Sequence, residues 1–272
     1  MTDSGAPPAG TAAQRWAAEL AAWAIDPEIL AAAPESPYGG YPPELFAARD
    51  DVASPLWDLA RAALPSDGSG TVLDVGAGAG ATSLALAGGL AHLHAVDEQA
   101  SMLRALEAAA RDRDLPVTSY EGTWPDVADR VPVCDVVVCA HVAYNVPDLA
   151  AFATALTTHA RAGVVLELTG THPLVRLAPM WEAVHHQPRP DGPTAELAVE
   201  VLREAGIDPQ VTETVYEPAV RVGRLHDVWV DFTRRQLCLP PQRRDEVEQL
   251  MRLHPPQPRR SVVLTWAGTG AA

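Results

Sequence analysis

Lysine is absent from this chain of 272 residues, and its 20 basic residues other than histidine are all arginine. No lysine nucleophile or Schiff base can operate, and the Tyr-x-x-x-Lys arrangement of one kind of hydride transfer is excluded with them. Cysteine is scarce as well. Cys134, Cys139 and Cys238 lack metal-ligand spacing and their number is odd, which argues against a disulfide framework and for buried free thiols; no metal is expected. No apolar run is long enough to span a bilayer, and the start MTDSGAPPAGTAAQRW has neither the basic residues nor the apolar stretch of a signal peptide. A cytoplasmic location without a membrane partner is the expectation. Positive charge is in deficit too. With 35 acidic residues the formal net charge is -15, which repels polyanions unless the arginines gather into one patch, so nucleic acid is a disfavoured partner.

What is present reads as one globular α/β unit. The length supports a single sizeable core, and 47% hydrophobic with 20% charged residues is too apolar for a disordered chain. Residues 1–12, rich in Ala, Pro, Gly and Ser, predict a flexible terminus. Helical signals follow over Ala17 to Ala24, Pro27 to Ala33 and Leu45 to Leu64, interrupted by PESPYGGYPP at 34–43. Residues 13–69 thus predict a helical extension, either a bundle packed on the main domain or a lid over its site. From residue 70 to 272 the pattern alternates short strands with helices. TVLDV, HLHAV, VTSY, DVVVC and VVLEL predict five strands in series, and QVTETVY and SVVLTW two more, separated by a helical insertion at about 224–253. Strands alternating with helices imply a doubly wound, Rossmann-like sheet of about seven strands, with the ligand at the strands' carboxyl ends.

The segment V-L-D-V-G-A-G-A-G-A at 72–81 predicts a buried strand running into a helix through Gly76, Gly78 and Gly80. Glycines permit a tight turn and close approach of a ligand to the main chain, and a helix start offers unpaired N–H groups. The same pattern satisfies the dinucleotide fingerprint G-x-G-x-x-A. Asp74 weighs against a dinucleotide, since a pyrophosphate would meet its negative charge whereas a cationic amino-acid group would be held. Asp97, ending the second strand in H-A-V-D-E, is placed to accept from both hydroxyls of a ribose, although it also serves to cap the next helix.

At these residues the chain resembles the class I S-adenosylmethionine-dependent methyltransferases: D-V-G-A-G-A-G resembles their first motif, V-D-E-Q-A-S-M-L the second and C-D-V-V-V-C-A-H-V the fourth-strand motif. More narrowly it is similar to small actinobacterial members with a helical N-terminal extension, whose substrates are mostly unassigned. The resemblance implies that Gly76, Gly78 and Gly80 line the methionine and ribose portion of the cofactor, that Asp97 holds the ribose, and that Met102 or Ser101 borders the adenine, with core filling the alternative for Met102. It places Gly122, Thr123 and Trp124 beside the base, with Thr123 where many members have an aspartate, and Ala140 at the cofactor edge of the fourth strand. S-adenosylmethionine is the implied cofactor and S-adenosylhomocysteine the product.

His141 follows the fourth strand in A-H-V-A-Y-N, at the edge where the transferred methyl should lie. It is a candidate general base, with Tyr144 orienting the acceptor; the alternative is a histidine bonded to a loop carbonyl. Tyr38 and Tyr41 in the N-terminal break, and His172, Trp181 and His185 after the fifth strand, are candidates for the acceptor pocket. Glu167 either faces the site or is solvated, and adjacent His185 and His186 point apart on a helix, which disfavours a metal pair. The Asn-Pro-Pro-Tyr and Asp-Pro-Pro-Tyr segments that the resemblance would require for methylating base amines or a glutamine amide are missing, and so is a Pro-Cys pair for cytosine carbon. The function expected is methyl transfer to an O, N or C atom of a small molecule. An NAD(P)-dependent oxidoreductase and a non-catalytic S-adenosylmethionine-binding protein are the alternatives.

Overall fold

A computed structural model describes residues 10–48, 54–218 and 222–271; the flexible terminus expected over 1–12 therefore lies mostly outside the described residues. Seven strands, β1 (Gly70–Val75), β2 (Leu90–Asp97), β3 (Val117–Glu121), β4 (Cys134–Ala140), β5 (Ala160–Thr169), β6 (Gln210–Tyr216) and β7 (Arg259–Ala267), form one sheet in the order β3-β2-β1-β4-β5-β7-β6. The first five are parallel, and β7 lies antiparallel between β5 and β6. The near-continuous apolar runs of β1 and β4 reflect burial on both faces. Chain order reverses between β1 and β4, so their carboxyl ends diverge and leave the crevice in which ligands of such sheets bind. The antiparallel β7 departs from the 3-2-1-4-5-6 order of the dinucleotide fold.

Helices cover both faces: α1 (Ala12–Ala21), α2 (Pro27–Ala32), α3 (Pro55–Ala63), α4 (Ala100–Arg111), α5 (Leu149–Thr158), α6 (Ala178–His185), α7 (Ala195–Glu204), α8 (Arg224–Gln236) and α9 (Arg244–Leu253). The period-2 alternation of each strand sorts its side chains. Leu73, Val75, Val137, Cys139, Leu166 and Leu168 join the cluster formed with α1, α5 and α7, whereas Val72, Val136, Val138, Val165 and Val263 join the one formed with α3 and α4. A third cluster packs α6 against α8 and α9 through Met180, Trp181, Val230 and Val247. All three cysteines are free and buried. No helix among the described residues is long and apolar enough to cross a membrane.

Three local expectations are corrected. The helix expected over 45–64 is a 3-10 turn at Pro43–Leu45, a bridge from Ala47 to Gly80, and then α3, which starts where Ser54 caps and Pro55 supplies a first-turn residue with no N–H to satisfy; residues 49–53 lie outside the described residues. Pro240 and Pro241 divide the insertion at 224–253 into α8 and α9. Past the glycine turn the chain makes only turns and a 3-10 segment, Leu84–Gly89, because Gly88 and Gly89 end it within two turns and β2 follows at once.

The helix α1 is built into the core. Thr11 and Gln14 form a capping box, and the Ala12 N–H donates to the Glu204 carboxylate at 2.8 and 2.9 Å, tying its start to α7. Trp16 is fully buried, stacks on Tyr144 with ring centroids 5.4 Å apart, and donates its Nε1–H to the Val146 carbonyl at 2.8 Å. Replacing Trp16 by Ala should cost about 3–5 kcal/mol and lower the unfolding midpoint of the whole domain in one transition. Urea denaturation checks this, and a loss under about 1 kcal/mol would mean that α1 docks as a dispensable appendage.

Candidate active site

The turn after β1 is held on the end of β2 by three successive peptide groups. Gly76 and Ala77 N–H both donate to the Val96 carbonyl at 2.9 Å, and Gly78 N–H donates to Asp97 Oδ2 at 2.8 Å. Gly76, at φ 73°, lies beneath Val142, whose side chain occupies the space a Cβ would need. Gly78, at φ 53°, has open space in that direction, so its backbone is bare toward the crevice. Gly80 sits behind, bridged to Ala47. Asp97 Oδ1 accepts from Gln99 N–H at 2.9 Å, and the Gln99 side chain in turn accepts from Tyr41 N–H at 3.0 Å. Two N–H bonds fix the Asp97 carboxylate and leave lone pairs for further donors such as ribose hydroxyls. Gly122 N–H donates to the Asp97 carbonyl at 3.0 Å, which brings the end of β3 to the same point.

Asp74 is 1% exposed, and neither of its carboxylate oxygens has a hydrogen bond of normal geometry among the described residues. Burial drives its pKa up to about 7; the nearby Ser83 offsets part of this and Asp97 adds to it. A buried carboxylate without donors is costly unless a cation or a set of donors arrives. Together with the bare Gly78 turn and the half-satisfied Asp97, it fits a ligand whose ammonium group meets Asp74 and whose diol meets Asp97. S-adenosylmethionine has both groups.

On the far side of the crevice, His141 follows β4 at φ 61°, a left-handed conformation uncommon for histidine, with its N–H donating to the Glu167 carbonyl at 2.8 Å. Its side chain is open to solvent, although the position is closely surrounded by protein. That enclosure lowers its pKa, with Glu167 opposing the shift and Arg259 adding to it. Glu167 itself is buried, and its carboxylate accepts from the hydroxyls of Ser54, at 3.2 Å, and Ser261. Thus the α3 cap, β5 and β7 converge behind His141.

The remaining candidates divide between the core and the surface. Tyr144 is buried under Trp16 with its hydroxyl donating to the Thr169 carbonyl at 2.6 Å, so its proton is engaged and the residue does not face an acceptor. Trp124 lies in the core edge-on to His159, at 4.8 Å, leaving the backbone of Gly122 and exposed Thr123 as the surface beside a base. Met102 is buried but belongs to none of the three apolar clusters, while Ser101 is exposed and Ala140 half-buried at the end of β4. His172 stacks on Trp23 at 4.1 Å and caps the next turn by accepting from Leu174 N–H at 3.2 Å; burial, and after it Arg189, lowers its pKa to about 4, so it is neutral. Trp181 belongs to the α6, α8 and α9 cluster, His185 Nε2 bonds the Leu237 carbonyl at 2.8 Å, and His186 closes α6 in a left-handed conformation. These three hold α6 in place. Tyr38 is exposed, and Tyr41 packs on Phe46 and Phe232, both at 5.5 Å. Among the described residues no group of three or more His, Cys, Asp or Glu is arranged to hold a metal.

Ser54, Ser261, Gln99 and Val142 surround the candidate site and were not among the expected binding residues, whereas Glu167, expected to face the site or to be solvated, is buried behind His141. Gln99 and Val142 lie within the two motifs read from the sequence, and Ser54 and Ser261 had no local signal.

A seven-stranded sheet of this order, with a bare glycine turn and two acids at the ends of β1 and β2, defines a nucleoside-cofactor enzyme. Residues 72–163 match a family model described as a methyltransferase domain. The chain is similar in fold to a structure concerned with conversion of a disulfide bond into a thioacetal group during echinomycin biosynthesis (19% identity, TM-score 0.53, covering 88% of this chain and 90% of that one). It is likewise similar to a candidate methyltransferase from Bacillus halodurans (16% identity, TM-score 0.52, 80% and 100%). A third similar structure is a candidate sarcosine dimethylglycine methyltransferase from Galdieria sulphuraria (10%, TM-score 0.50, 79% and 83%). No curated protein matches the chain by sequence. Residues 72–163 therefore carry a methyltransferase domain, for which S-adenosylmethionine is the cofactor.

The raised pKa of Asp74 has a definite sign. The folded protein retains a proton on Asp74 that the unfolded chain releases above about pH 4. The stabilisation is complete below that value and is lost as pH rises through about 7. Without cofactor, this one group should therefore reduce stability by up to about 4 kcal/mol between pH 4 and 8, and Asp74→Asn should remove that slope. Urea unfolding at several pH values tests it; parallel profiles for the two proteins would reject the assignment.

Proposed function

We propose that the enzyme methylates an O, N or C atom of a small-molecule acceptor that sits between the bare Gly78 turn and His141. The observation that carries this reading is the pair of donorless Asp74 oxygens beside that turn, with an accessible histidine one strand away at an uncommon backbone conformation. Asp74 would hold the cofactor's ammonium group, Asp97 its ribose hydroxyls, and the main chain of Gly76, Gly78 and Gly122 its flanks. S-adenosylmethionine supplies an electrophilic methyl group on a sulfonium sulfur. The task left to the protein is to align the acceptor, exclude water and take up a proton where the acceptor must lose one.

His141 suits that last role. Its lowered pKa keeps the imidazole neutral near pH 7, and its N–H bond to the Glu167 carbonyl sets the residue's place at the end of β4. Ser54 and Ser261 hydroxyls hold Glu167 in turn, so the support of His141 comes from three separate elements. A small acceptor also accords with the net charge of -15, which repels polyanions.

Isothermal titration with S-adenosylhomocysteine and NADH in parallel tests the cofactor site. Binding of the first alone is expected, weakened about tenfold or more in Asp97→Ala, because hydrogen bonds to a charged group are worth about 1.5–3 kcal/mol. Unchanged affinity in that variant would remove Asp97 from the site. For His141→Gln, turnover on an acceptor returned by a substrate screen should fall roughly 100-fold with S-adenosylhomocysteine affinity preserved. Full turnover would rule out the proton-accepting role.

A further inference from the structure

Many arginines among the described residues are answered by a carboxylate. Arg15 pairs with Glu200, Arg161 with Asp135, Arg234 with Glu35, Arg243 with Glu246, and Arg244 with Asp227. Arg260 pairs with both Glu196 and Glu213 on the face of the sheet that carries α7. Its neighbour Arg259 points to the opposite face and has no carboxylate partner among the described residues; its one recorded contact is with the ring of Tyr216, 5.9 Å from the guanidinium carbon. It is nonetheless half-buried, and burial lowers its pKa. Arg189 and Arg235 also lack an acid but are held by backbone carbonyls, so a half-buried guanidinium with neither an acid nor a hydrogen bond among the described residues is a departure that calls for a ligand.

Its position in the sheet says which ligand. β7 runs antiparallel to β5, with Ser261 opposite Thr169 and Glu167 opposite Val263, so Arg259 lies just beyond the carboxyl end of β5, at the edge where the crevice opens. Arg259 and Ser261 are two residues apart on one strand and therefore share a face. The Ser261 hydroxyl bonds the Glu167 carboxylate, and the Glu167 carbonyl receives the His141 N–H. Arg259 is also close enough to shift the His141 titration. Thus the unpartnered guanidinium lies on the face of the sheet where Ser261 and Glu167 support His141.

We propose that Arg259 binds a carboxylate carried by the methyl acceptor, so that the substrate is a small organic acid held with its nucleophilic atom toward His141. A planar guanidinium presents paired N–H donors that match the two oxygens of a carboxylate, and a partly dry site strengthens the bond. The inference deepens the methyltransferase reading and rests on it.

The test uses the full-length protein saturated with S-adenosylhomocysteine and two probes of equal shape, benzoate and its neutral counterpart benzamide. Binding is followed by the Arg259 Nε–H resonance and by calorimetry. The wild type should bind benzoate at least tenfold more tightly than benzamide. Arg259→Gln should abolish that preference, and Arg259→Lys, which retains charge but not the paired donors, should keep part of it. Both variants should bind S-adenosylhomocysteine within about twofold of the wild type, which shows that they fold. Equal affinity for the two probes in the wild type, or a preference that survives in Arg259→Gln, overturns the assignment. Failure of the wild type to bind S-adenosylhomocysteine would instead strike the cofactor reading beneath it.

Discussion

The site depends on three consecutive peptide N–H groups, those of Gly76, Ala77 and Gly78, which leave β1 and bond to Val96 and Asp97 at the end of β2. A chain leaving a buried strand must find partners for its next donors, and the neighbouring strand end supplies them here. Binding them to the neighbouring strand folds the turn back and aligns the Asp74 and Asp97 carboxylates along the crevice. Gly122 N–H adds the end of β3 to the same anchor. A change that lengthened this turn or gave Gly76 a side chain would have to displace Val142, the residue that follows His141, so the cofactor side and the acceptor side share one packing contact.

The electrostatics of the two sides differ. On the β1 side, Asp74 is buried with only Ser83 nearby to offset the cost, and its pKa is pushed up to about 7. On the β5 side, Glu167 is buried to a similar degree but receives two hydroxyl donors, from Ser54 and Ser261. Two buried acids on one sheet thus differ in that one has hydroxyl donors and the other has none of normal geometry. The same contrast separates Arg260, answered by two glutamates, from Arg259, answered by none.

The segments around the sheet also divide by role. α1 enters the main core through Trp16 and is pinned to α7 by Glu204, and α3 reaches the site through its cap, Ser54. The stretch between them is linked to the cofactor side by Tyr41 N–H on Gln99 and by the bridge from Ala47 to Gly80. Arg235 donates to the carbonyls of Gly39 and Gly40 and thereby fastens that stretch to α8. The N-terminal region thus packs as part of the molecule, joined to both ends of the crevice.

The sequence by itself determined the sheet and set the residues proposed to hold the cofactor within one short stretch of chain. Strand periodicity is local, and a glycine turn between two strand-ending acids keeps all its information within about 30 residues of a βαβ unit, so Asp74, Gly78 and Asp97 were legible together. Tertiary structure decided what the sequence left open. The place of β7 between β5 and β6, and hence the meeting of Ser261, Arg259 and Glu167 near His141, arises from pairing of distant strands, for which no spacing rule exists. The aromatic and histidine residues read as acceptor-pocket candidates share their chemistry with core packing. Whether Tyr144 faces a ligand or the Thr169 carbonyl depends on which neighbours bury it, and burial is set by helices far away in the chain.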